Sequence, residues 1–124
     1  MEERSMSKDF AKIAEDVAVG VGLLKQGAPE TVKAFYSLSI AATSPSAIDT
    51  KTKELMALAI GIAVHCDGCV AYHTKMAHHH GATRQEVAET VSLAIYMGGG
   101  PAAVYGPDAL RAYDQFSGQS SGAA

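Results

Sequence analysis

Cys66, Cys69 and His73 fall within one eight-residue stretch, CDGCVAYH. Helix positions three and four apart share a face, so the two sulfurs point the same way and His73 lies one turn beyond Cys69. Such a pair can close a disulfide without a long loop. Thiolate is the reactive form of cysteine, and an ordinary thiol is mostly protonated at neutral pH. Two features would favour the thiolate here. The positive end of a helix would act on Cys66 and, more weakly, on Cys69. The imidazole of His73 would act on Cys69 as a base or as a cationic neighbour. A base works best when a second group fixes its tautomer. Glu54 is the candidate for that role, being the only acid between Asp49 and Asp67. It sits in the most apolar helix of the chain, where a buried carboxylate needs a partner. Glu54 reaches His73 only if the two helices that carry them pack together after a bend at CDGC.

The same residues admit plainer readings. An isolated CxxC is frequently inert, and perturbed groups are only probabilistic evidence of function. A Glu in an apolar helix commonly sits at a surface edge, and a lone His is commonly half-buried. Asp67 and Gly68 can simply make a turn. A zinc site would need a fourth ligand beside Cys66, Cys69 and His73. His78, His79 and His80 lie five to seven residues past His73. That is about 7 to 10 Å of helical rise, too far for one tetrahedral ion. His65 is adjacent in sequence and stays open as a ligand, but a second ligand pair on a separate knuckle is missing. No metal is therefore expected. The His triplet reads as a solvated helix end, where protonated imidazole complements the dipole.

These residues must be positioned by helices. Apolar spacing follows three and four along the chain, and no strand pair competes. A first helix is predicted from Ser7 to Lys25, with Phe10, Ile13, Val17 and Val21 on one side. A second opens at Pro29, a good first-turn residue, with Val32, Phe35, Tyr36 and Ser39 on one side, and fades into ATSPS. Asp49 can cap a third from about Lys51 to His65, with Leu55, Leu58, Ala59 and Ile62 inward. It is so apolar after Glu54 that burial on most sides is expected. Gly68 should interrupt or bend it. A fourth helix from Cys69 to His80 stops at Gly81, a left-handed cap. TRQE at Thr83 to Glu86 is a capping box that starts a fifth, and GGGP at Gly98 to Pro101 ends it. A sixth is predicted from Pro101 to about Phe116. The whole reads as an all-α bundle of about six helices over residues 1–116, with a flexible tail at 117–124.

Bulk properties narrow the function. At 124 residues and 48% hydrophobic, the chain is one globular domain. A net charge of −3 with no basic block gives no case for nucleic acid. The longest apolar run, ALAIGIAVHC, is too short for a membrane span. The charged N-terminus has no apolar signal core behind it. Two cysteines two residues apart suit redox or metal chemistry in a reducing compartment better than a secreted scaffold. A cytoplasmic protein is expected.

Glu54, followed after eleven residues by CDGCVAYH, resembles the alkylhydroperoxidase D-like branch of the carboxymuconolactone decarboxylase superfamily. That branch carries a Glu, a CxxC pair and a His four residues after the second Cys. HGATRQEVAETVSLAIYMGGGPA is similar to the same family's following segment. The resemblance runs from about Thr50 to Ala112. It implies small helical protomers assembled as homo-oligomers, commonly trimers or hexamers. It implies a thiol peroxidase or disulfide oxidoreductase, with a hydroperoxide or disulfide as substrate and a dithiol as electron donor, and no bound cofactor. Carried over by position, Cys66 and Cys69 would be the redox pair and Glu54 and His73 the proton relay. Peroxidase-linked members have a His between the cysteines where this chain has Asp67 and Gly68. Two other readings stay open: lactone or decarboxylation chemistry on Glu54 or His73, and a non-enzymatic redox-sensing oligomer.

Overall fold

The computed structural model describes residues 8–118. Its elements are α1 (Phe10–Gly27), α2 (Pro29–Thr43), α3 (Thr50–Ala63), α4 (Asp67–His79), α5 (Arg84–Gly98), α6 (Gly100–Tyr105) and α7 (Pro107–Ser117). No strand occurs among the described residues, so the expected all-α fold is the observed one.

Local chemistry sets most boundaries. Asp9 caps α1 by accepting the Lys12 N–H at 3.1 Å. The predicted start at Ser7 lies outside the described residues, as do residues 119–124 of the predicted tail. Pro29 opens α2, and Asp49 caps α3 through the Thr52 N–H at 2.8 Å. The capping box of α5 forms in full, with Glu86 N–H on the Thr83 hydroxyl at 3.0 Å and Thr83 N–H on Glu86 at 2.9 Å. Gly81 takes the left-handed conformation after α4.

Two boundaries differ from expectation. The chain reverses between α3 and α4 through Val64, His65 and Cys66, not at Gly68. His65 is left-handed, with φ 57°, a conformation that costs an L-residue about 1–2 kcal/mol. Gly68 is instead inside the first turn of α4. There a Cβ would lie 2.9 Å from Val17 of α1, so the glycine serves packing. The predicted sixth helix is divided. Pro107 has no N–H to continue the ladder, and Gly106 is pressed against Val91 of α5, so α6 ends and α7 begins there.

Phe10, Leu58, Ile62, Val70 and Val87 are fully buried in the centre. Each contributes about 1.5–3 kcal/mol by leaving water. Ala71, Ala109 and Ala112 are also buried there, and small side chains let α4 and α7 approach. α3 packs against α4 and α5, and α4 also against α7 and α1. α3 is not buried on most sides. Leu58, Gly61 and Ile62 face in, but Met56 and Ile60 face out, because helices cover only one side of it. α2 likewise gives the core Val32 alone, leaving Phe35 and Tyr36 exposed.

Candidate active site

The reversal at His65 sends α4 back along α3. Two points fix how closely they lie. A Cβ at Gly61 would be 2.9 Å from the Cβ of Cys69, so only glycine permits this approach. Two turns earlier on α3, Glu54 meets His73 of α4, with Oε1 2.7 Å from Nδ1. Glu54 is 2% exposed, and the half-buried imidazole offsets the cost of its burial. The packing that the sequence left conditional is therefore present. His73 is one turn from Cys69 on the same helix face.

The sulfurs of Cys66 and Cys69 are paired as a disulfide, with their Cα atoms 5.2 Å apart. Cys66 is the N-cap of α4, and its Sγ accepts the Cys69 N–H at 3.1 Å. A sulfur so placed faces both a backbone donor and the positive helix end. Tyr72, beside His73, has its phenol pushed up by burial first and then by the charge of Glu54 and by Tyr36.

A second polar group is built on Asp67, which lies between the two cysteines in sequence. Lys8 Nζ is 2.9 Å from both Asp67 and Asp108. The Tyr105 hydroxyl donates to the same Asp67 oxygen, and the Tyr105 ring stacks on His65 at 5.1 Å. Asp67 is held below its ordinary range by the Tyr105 hydrogen bond and then by Lys8. Burial, then the Asp67 contact, pushes Tyr105 up to about 12. Burial opposes the charge on Lys8, but its two carboxylate partners together outweigh that and raise it. Lys8, Tyr105 and Asp108 carried no sequence signal. Asp67, read as a turn residue, did carry one: a carboxylate inside a CxxC calls for a cation.

The His triplet is only partly solvated. His79 and His80 are exposed, but His78 sits edge-on to Tyr113 at 5.2 Å. None of the three joins Cys66, Cys69 and His73. Among the described residues no three of His, Cys, Asp and Glu converge on a point that could hold a metal ion.

The model of the carboxymuconolactone decarboxylase family matches residues 29–117. An uncharacterized protein of Cupriavidus necator is 37% identical over 109 residues, 88% of this chain and 96% of its own. Uncharacterized protein 4 in the cox locus of Paracoccus denitrificans is 30% identical over 118 residues, 95% and 99% of the two chains. A carboxymuconolactone decarboxylase family protein from Legionella pneumophila, crystallised in its apo form, superposes with a TM-score of 0.84 at 41% identity, covering 87% of this chain and 96% of that one. A Thermotoga maritima member, for which a part in the antioxidative response has been suggested, superposes with a TM-score of 0.65 at 30% identity, covering 71% and 91%. With the family model matching most of the chain and near-full-length relatives sharing its sequence and helical fold, this chain belongs to the carboxymuconolactone decarboxylase family.

Proposed function

We propose that this chain is a thiol-dependent hydroperoxide reductase and disulfide oxidoreductase. The observation that carries the reading is the bonded pair Cys66–Cys69 with the Glu54–His73 couple one turn away. An ionised Glu54 accepts from the Nδ1–H of His73, which leaves Nε2 as the basic nitrogen. Nε2 takes the proton from the Cys69 thiol. The thiolate attacks the distal oxygen of a hydroperoxide, the O–O bond breaks, and the leaving alkoxide takes the proton back as an alcohol. Cys69 is then a sulfenic acid. The Cys66 thiol displaces its hydroxyl as water, and the disulfide forms. An external dithiol reduces the pair by exchange and leaves as its own disulfide. No bound cofactor is needed in this cycle. The Cys69 N–H on the Cys66 sulfur favours Cys66 as thiolate, so the order is tested separately. Peroxide consumption kept by C69S and lost by C66S would reverse it.

The deciding experiment counts thiols before and after stoichiometric peroxide. Two thiols per chain should vanish and return with a dithiol. Cys66, Cys69, His73 and Glu54 variants should slow or stop the loss. No reversible loss would sink the reading. The family match supports a second one, lactone or decarboxylation chemistry on Glu54 and His73. Lactone turnover kept by a C66S/C69S double variant would favour it.

The same reading includes a homo-oligomer, a trimer or hexamer, supported by the thinly buried α2 and the exposed side of α3. It also includes the cytoplasm as location, since a dithiol cycle suits a reducing compartment. No described helix is long and apolar enough to cross a membrane.

A further inference from the structure

We propose that Lys8 is a positioning residue for the cysteine pair: by bridging Asp67 to Asp108 it balances the negative charge that the sequence places between the two cysteines. This rests on the redox reading of Cys66 and Cys69.

Asp67 is the first residue of α4, directly after Cys66 and two before Cys69. A carboxylate there suits the helix dipole. It also opposes a thiolate beside it, because like charges disfavour one another. The fold supplies compensation from a distant part of the chain. Lys8 Nζ reaches Asp67 and Asp108 at 2.9 Å each, and sits 4.8 Å above the Tyr105 ring. Arg111 holds the other oxygen of Asp108 at 3.0 Å. Two cations and two carboxylates thus sum to zero, and without Lys8 the group carries one net negative charge.

The placement of Lys8 is not left to a loose terminus. Gln115 of α7 accepts the Phe10 N–H at 2.7 Å and donates to the Lys8 carbonyl at 2.8 Å. That clamp fixes the backbone immediately C-terminal to the Lys8 side chain. The group is also a poor proton relay. Asp67 is held below its ordinary range by Tyr105 and Lys8, and Tyr105 is pushed up to about 12. Its role is a fixed charge balance.

Other ionisable groups face the pair, and all of the variants keep them. Glu54 and His73 lie on its α3 side, and His65 stacks on Tyr105. On α1, Lys12 and Asp16 pair with each other at 3.7 Å. The remaining charges of α3 and α7 are engaged elsewhere, Lys51 with Glu86, Lys53 with the Ser44 carbonyl and Asp114 with Arg84.

The test alkylates reduced wild type, Lys8→Met, Lys8→Arg, Asp67→Asn and the K8M/D67N double variant with iodoacetamide across a pH series. K8M should move the alkylation midpoint upward by about half a pH unit at low salt. D67N should move it downward, the double variant should return toward wild type, and K8R should stay there. Melting temperatures are measured alongside. A K8M midpoint that is unchanged or lowered overturns the proposal, even if the protein is less stable. If K8M does not fold, D67N decides, and a midpoint unchanged or raised overturns the proposal. Failure of wild-type thiols to respond to peroxide counts against the proposed function and leaves these midpoints as readable as before.

Discussion

Glu54 and His73 make unequal demands on the fold. The carboxylate is almost wholly buried and the imidazole about a quarter exposed. His73→Ala should therefore cost more stability than its exposure suggests, about 1–3 kcal/mol, because it leaves the carboxylate without its imidazole partner. Glu54→Gln keeps an oxygen that can accept from Nδ1–H, so it should cost less than about 1 kcal/mol. It should still slow peroxide-driven thiol loss about tenfold or more, since the imidazolium loses its counter-charge. Urea melts and thiol-loss rates check both. Equal melts for H73A and wild type would overturn the first, and an unslowed E54Q the second. The Lys8 group sets a pH window. Asp67 is held low, so its contribution is present above its ordinary value of 3.8 and is lost as pH falls through its folded value. Tyr105 and Lys8 are raised, so the fold keeps their protons longer than the unfolded chain. Their contribution is lost as pH rises beyond about 10. Tyr105→Phe should soften both the acid and the alkaline fall in melting temperature. Unchanged slopes on both sides would refute this.

At the scale of elements, glycine sorts by what its missing Cβ would meet. Gly61→Ala would set a methyl 2.9 Å from Cys69 Cβ. α3 and α4 would have to part, at about 1–3 kcal/mol. Gly106→Ala would meet Val91 at 2.6 Å and the Ala102 carbonyl at 2.7 Å, with a similar or larger loss. Gly20 in α1 meets nothing within 4 Å, so Gly20→Ala should gain about 0.5–1 kcal/mol. Calorimetric melts of the three should show two losses and one gain, and a G61A melt like wild type would refute the close approach. Local signals were legible from the sequence: Asp49, Thr83 with Glu86, and Pro29 act within one turn, and each sits where its chemistry requires. The α3–α4 reversal was legible only in part. Gly68 looked like the breaker, but close packing on Val17 explains it, and His65 takes the left-handed residue's place. The Gly106–Pro107 break carried a local signal, since Gly followed by Pro interrupts a helix and Pro opens one, but the apolar spacing continued through it and the predicted sixth helix ran on. The Glu54–His73 contact could be named but not decided, since it depends on two helices meeting. Lys8 lies 59 positions from Asp67 and 100 from Asp108, and no periodicity encodes such pairing.

At the scale of the whole molecule, the apolar surface is unevenly placed. α2 has 15 residues, of which Val32 alone is buried, while Phe35, Leu38 and Ile40 are more than half exposed. An isolated helix of that length is marginal in water, and tertiary packing normally stabilises it. Packing on α1 and lightly on α3 supplies little. Elsewhere Ile60, Tyr96, Met97 and Val104 are also more than half exposed. Surface of this kind in one protomer is what a neighbouring copy would cover. Light scattering should then give a mass three or six times 12.9 kDa. The melting temperature should rise with protein concentration, because association stabilises only the folded chain. Phe35→Glu with Leu38→Glu places two charges on that face without touching the core or the cysteine pair. This variant should dissociate or lower the assembly's mass, and its melting should lose the concentration dependence. A wild-type mass of 12.9 kDa with concentration-independent melting would show that α2 stands without a partner.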